Sequence, residues 1–183
     1  MILVVAATEA ELAGAAGAET LVCGIGPVEA AAVTARALAE RRPEVVLNVG
    51  LAGATGIDPP TLVIGSESTY CDISGDLAAS FPRVERVEPA AHLLEAARAA
   101  LPEALVRPIG TTAYVGRGVD CEVEAMEGFA VLRAAALAGV PAVEVRVVSN
   151  AVDEPDRARW QLDEALAALA DAVPRLLAEL GRR

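Results

Sequence analysis

The chain has 183 residues, 54% of them apolar and 22% charged, with a formal net charge of −11. The length suits one domain spanning residues 1–183, and the apolar content excludes a disordered chain. The acidic balance argues against nucleic-acid and anionic-membrane partners, and the absence of lysine excludes Schiff-base and Walker-A chemistry.

Residues 2–7 form a short apolar run that reads as a buried strand. Residues 20–25 read as a second strand, closed by Gly24 and Gly26. Pro27 suits a first helical turn, and Val28, Ala31, Ala32, Ala35, Leu38 and Ala39 recur at helical spacing until Pro43. Residues 44–49 predict a buried strand and 50–56 (GLAGATG) a turn of small residues. The stretch 45–57, the longest without charge, is too short and too rich in glycine to span a bilayer. A strand begins at Thr61 and grows polar toward Tyr70, and 71–87 reads as a surface loop. A helix is predicted over 89–101, a strand over 104–109, and a polar, glycine-punctuated region follows. Residues 127–138 predict a helix ended by Gly139 and Pro141, 142–148 a strand, and 159–180 a closing helix. This alternation predicts an α/β fold with a mostly parallel sheet covered by helices on both faces.

Cys23, Cys71 and Cys121 are an odd, scattered set, which suits reduced thiols and a cytoplasmic location. The N-terminal run has no basic leader and meets Glu9 and Glu11 early, unlike a signal peptide. With one histidine, His92, and no CxxC, no metal site is expected, and no cofactor. Gly24-Ile25-Gly26 opens like a dinucleotide fingerprint, but Glu29 stands where the third glycine belongs and would repel a pyrophosphate. Taken alone, the glycines after the strands need only permit tight turns.

Four segments match a known pattern in order: AATEAEL (6–12), CGIGPVEAA (23–31) with NVGLAGA (48–54), VEAMEGFA (123–130) and EVRVVSNAVD (144–153). Together they resemble the purine nucleoside phosphorylase and nucleosidase superfamily, and most nearly its futalosine hydrolases, nucleosidases of the alternative menaquinone pathway. The resemblance implies a three-layer α/β/α sandwich around a mixed, mostly parallel, partly closed sheet. It also implies hydrolysis of an N-glycosidic bond through a ribosyl cation-like state, which needs an aligned water, a gripped ribose and a stabilised purine leaving group.

The resemblance assigns these tasks residue by residue. Glu11, rather than Glu9, would activate the water; by position alone it is equally a carboxylate at a helix start. Met126 would lie under the ribose and Glu127 on its 2′ and 3′ hydroxyls, although most methionines simply fill core. Glu124 is a weaker candidate whose direction the sequence does not fix. Asn150 stands where adenosine-type nucleosidases carry Asp, and an amide suits a 6-oxopurine such as hypoxanthine. Ser149 would support it or the base edge, and Ala52 and Gly53 would line the substrate. Tyr114, followed by Val115, would stack on the base, and the chain has only five aromatic residues.

Related phosphorylases hold phosphate with an arginine and a serine where this chain has Asn48 and Leu51, and no arginine flanks the Glu11 loop. Water is therefore the expected nucleophile. Relatives have a longer segment where this chain has only residues 12–20. The resemblance also implies a homo-oligomer, and Arg117 is a weak candidate for a substrate carboxylate. Alternatives are a broader 6-oxopurine nucleosidase, a methylthioadenosine/adenosylhomocysteine nucleosidase, or a silent nucleoside-binding protein.

Overall fold

Residues 1–73, 83–116 and 120–182, which the computed structural model describes, hold eight strands, four α-helices and two short 3-10 turns. The strands are β1 (Ile2–Ala6), β2 (Glu19–Val22), β3 (Val45–Ala54), β4 (Leu62–Tyr70), β5 (Arg86–Val87), β6 (Leu105–Thr111), β7 (Val123–Ala125) and β8 (Ala142–Ala151). The helices are α1 (Pro27–Arg41), α2 (Ala91–Ala100), α3 (Gly128–Ala138) and α4 (Leu162–Leu180).

Side-chain alternation along the strands creates the layers. Val4, Leu47, Val143 and Val145 pack on one face against Leu93 of α2 and Leu169, Val173 and Leu176 of α4. Their neighbours Leu3, Val5 and Val46 pack on the other face against Ala30 and Leu38 of α1 and Val131 and Ala135 of α3. The strands are nearly continuous apolar runs because both faces are covered.

Strands β3, β8, β4, β6 and β7 close into a ring: β3 pairs β8, β8 pairs β4, β4 pairs β6, β6 pairs β7, and β7 returns to β3. The β8–β4 and β7–β3 pairings are antiparallel and the other three parallel. β1 and β2 continue from β3 as an open parallel wing. The expected three-layer sandwich with a mixed, partly closed sheet is therefore observed.

Several boundaries differ from the sequence reading. Residues 50–54 are not a turn; they prolong β3, because β8 pairs with them through Ala54 across a bulge at Ala52/Gly53. β2 ends at Val22 rather than at residue 25, since Gly24 and Gly26 adopt φ of 81° and 93°. β7 lies inside a region read as irregular; three residues are too few to show a period. Two residues of the expected 71–87 loop form β5, and its centre lies outside the described residues.

Candidate active site

A cavity of about 310 Å³ opens at the carboxyl ends of β1, β3 and β8, where α/β sheets commonly bind ligands. All nine residues named from the sequence line it: Glu11, Ala52, Gly53, Tyr114, Val115, Met126, Glu127, Ser149 and Asn150. Glu124 lines it too. Arg117 lies outside the described residues.

Glu11 sits in a short 3-10 turn just after β1 and is buried, whereas Glu9 is exposed. The Thr8 backbone N–H and hydroxyl donate to its Oε2 at 2.9 and 2.8 Å, and the Leu51 N–H donates to Oε1 at 3.0 Å. Three donors thus aim the carboxylate across the strand ends. Gly50 is required beside it. A Cβ there would meet Glu11 Oε1 at 2.7 Å and would overlap the guanidinium of Arg146.

Arg146 is the centre of the buried polar floor. It projects from β8 toward the α1/α3 side, in register with Gly50, and is completely buried. Its Nε donates to Glu144 at 2.8 Å, Nη2 to Asn48 Oδ1 at 2.9 Å and Nη1 to Glu127 Oε2 at 3.4 Å. Asn48 in turn donates to the Val5 carbonyl at 3.0 Å, and the Ser68 hydroxyl donates to Glu144. Burial works against the guanidinium charge, but Glu144, Glu127 and Glu11 outweigh it and hold the proton more firmly than usual. An arginine does therefore stand beside the Glu11 loop, supplied by β8 rather than by sequence neighbours. Glu144, Asn48 and Glu127 take three of its five N–H donors.

Glu127 immediately precedes α3, one residue before the helix that the sequence predicted it would open. Its Oε1 accepts from the Gly26 N–H at 3.0 Å, so the GIG turn and the MEG segment meet at this carboxylate. Burial raises its pKa above the ordinary carboxylate value, with Arg146 pulling the other way. The same burial, with the charge of Glu127, pushes the Cys23 thiol up to about 12, so Cys23 is not a nucleophile at neutral pH. Gly128 is dictated by packing: a Cβ would overlap the Glu144 carboxylate.

A second corner is formed by β7, β8 and the residues after β6. Ser149 donates to Asn150 Oδ1 at 2.9 Å, and Asn150 Nδ2 donates to the Ala151 carbonyl at 2.9 Å. Serine thus holds the amide, as the motif implied. Gly53 lies between them in register with both Asn150 and Glu124. Tyr114 is 66% exposed at the cavity mouth, on a segment held by Asp72 through Thr112 and the Ala113 N–H. Trp160, Leu162 and Leu166 add an apolar flank from the segment leading into α4.

The sequence reading missed Glu144, Arg146 and that flank. Charged residues alternating inside the β8 run, EVRVV, were the available signal for the first two, because a two-faced buried strand has no reason to carry them otherwise.

The description "Phosphorylase superfamily" fits residues 13–121. The futalosine hydrolase of Streptomyces coelicolor is 36% identical over 184 residues, covering 87% of this chain and 78% of the relative. That of Thermus thermophilus is 33% identical, covering 86% and 80%. Among solved structures, a futalosine hydrolase mutant of Helicobacter pylori superposes with a TM-score of 0.88 at 16% identity, covering 97% of this chain and 98% of that one. The S-adenosylhomocysteine nucleosidase of Streptococcus pyogenes, in complex with 5-methylthiotubericidin, gives 0.84 at 20% identity, covering 98% and 96%. Likeness at these identities speaks for the shared fold.

Proposed function

This chain belongs to the futalosine hydrolase family of the phosphorylase superfamily, and we propose that it cleaves the glycosidic bond of futalosine with water and releases hypoxanthine. It is a nucleosidase, a hydrolase of N-glycosyl bonds. The observation that carries the reading is convergence: Glu11, Glu127 and Asn150, from distant parts of the sequence, line one cavity.

Glu11 holds and activates the water. Three donors fix its carboxylate, and a positioned base of this kind contributes roughly 10²–10⁴-fold to rate. Glu127 accepts from the ribose hydroxyls, with Met126 beneath the ring. Its own two oxygens keep capacity beyond the Gly26 and Arg146 bonds, since a carboxylate offers about four acceptor sites. The cationic sugar develops above a floor of three carboxylates and one guanidinium, Glu11, Glu127, Glu144 and Arg146, whose negative excess favours it. Asn150, held by Ser149, receives the purine edge, and Tyr114 with Val115 covers its face.

Water rather than phosphate is the nucleophile. Leu51, where related phosphorylases carry a serine, lines the cavity. Arg146, which meets Glu11 over Gly50, is engaged by Glu144, Asn48 and Glu127. An anion there would be desolvated among Glu11, Glu127 and Glu144, whose charges the single guanidinium already balances only in part.

The reading includes a cytoplasmic homo-oligomer that acts on a small nucleoside. Among the described residues no helix is long and apolar enough to cross a membrane. Exposed Val28 and Leu137, with Ala31, Ala32 and Ala35, give α1 and α3 an apolar outer face that supports association. The test is hypoxanthine release from futalosine in phosphate-free buffer. Adenine release from methylthioadenosine, with futalosine untouched, would point to the adenosine-type nucleosidase instead. Binding of futalosine without turnover would point to a silent binding protein.

A further inference from the structure

Glu124 is buried, 6% exposed, and lines the cavity. Its Oε1 accepts from the Gly116 N–H at 2.8 Å. Its Oε2 is buried and has no hydrogen-bond partner. Leaving a buried carboxylate oxygen unpaired is costly, so one kept on a side chain that lines a cavity points to a donor on what binds there.

The location says which donor. Glu124 stands in register with Gly53 on one side, and Asn150 with Gly53 on the other. A Cβ at Gly53 would meet Asn150 Nδ2 at 3.1 Å, and one at Gly116 would meet the Val152 carbonyl at 3.1 Å. Glu124, Gly116, Asn150 and the Tyr114 segment therefore enclose the same corner, apart from the Glu11–Glu127–Arg146 floor.

We propose that Glu124 reads the purine edge opposite Asn150, its free Oε2 accepting the N1–H that a 6-oxopurine carries and a 6-aminopurine lacks. The proposal rests on the nucleosidase reading above and adds the group that sets base specificity. A carboxylate only accepts. Facing the N1 lone pair of adenine, it would set acceptor against acceptor and leave both unsatisfied. Sites built around one such hydrogen bond discriminate by roughly 10⁴-fold or more.

The test is Glu124→Gln. The amide carbonyl preserves the bond to Gly116 while its N–H₂ replaces the free acceptor with a donor. The ratio of kcat/KM for futalosine to that for its 6-amino analogue should fall by about 10²-fold or more, as expected when one specifying hydrogen bond is inverted. A ratio unchanged within about twofold, including an equal loss on both substrates, overturns the proposal. A second measurement needs no variant: hypoxanthine and 1-methylhypoxanthine are titrated into the unaltered protein by calorimetry. The methylated base, which lacks N1–H, should bind at least about tenfold more weakly, and equal binding overturns the proposal. Because calorimetry reads base binding without turnover, its outcome is separable from failure to hydrolyse futalosine.

Discussion

Replacing Arg146 by Met removes the one cation among the buried charged residues of the described chain, which otherwise are Glu11, Glu124, Glu127 and Glu144. Methionine fills similar volume, so the loss is electrostatic rather than a cavity. Removing one partner of a buried ion pair costs about 3–5 kcal/mol. Here Glu144 and Glu127 both lose their guanidinium, and Asn48 Oδ1 is left with no donor, a further penalty of about 1–3 kcal/mol. A total near 5 kcal/mol would consume much of a stability that is about 5–15 kcal/mol for native domains. The assay is urea unfolding followed by the fluorescence of Trp160, the single tryptophan. The loss also has a pH signature. Burial already raises the pKa of Glu127 against the pull of Arg146, so removing the arginine raises it further. A carboxyl with a folded pKa above its unfolded value contributes stability at low pH and loses that contribution as pH rises through the folded value. Relative to the unaltered protein, Arg146→Met should therefore recover stability as pH falls from neutrality through the raised pKa of Glu127. A loss under about 1 kcal/mol, or one independent of pH, would refute the reasoning that Arg146 anchors these acids.

Gly128→Ala should destabilise by about 1–3 kcal/mol and lower turnover, because the new methyl must displace Glu144 and with it the guanidinium of Arg146; unfolding curves and kcat check this, and an unchanged midpoint would contradict the contact. Asn150→Asp should shift preference toward 6-aminopurine nucleosides, read as the ratio of kcat/KM for the two base types; an unchanged ratio would remove the assignment of Asn150 to the base.

The layering was legible because it depends on period and punctuation: Pro27, Gly139 and the apolar strand runs placed α1, α3, β1 and β8 nearly where they stand. The extension of β3 was not, since glycine and alanine look alike in a turn and in a strand whose side chains must be small to admit Arg146 and Asn150. The motifs led to the residues that touch the cavity. They were silent on what stands behind them. Glu144 and Arg146 come from the middle of an apolar strand, and only the register of β8 on β3 brings them under Glu127 and beside Glu11. Glu124 needed the structure for a different reason: β7 is three residues long, too short for alternation to tell cavity from core.

The proposed role of Glu11 in activating water is tested most directly by single-turnover hydrolysis of futalosine with Glu11→Gln in phosphate-free buffer, alongside calorimetric binding of hypoxanthine. The expected result is a turnover rate lower by roughly 10³-fold with hypoxanthine affinity unchanged within a few-fold, the pattern of a lost general base in an intact pocket. Turnover at the rate of the unaltered protein would contradict the role of Glu11 and the hydrolytic mechanism built on it.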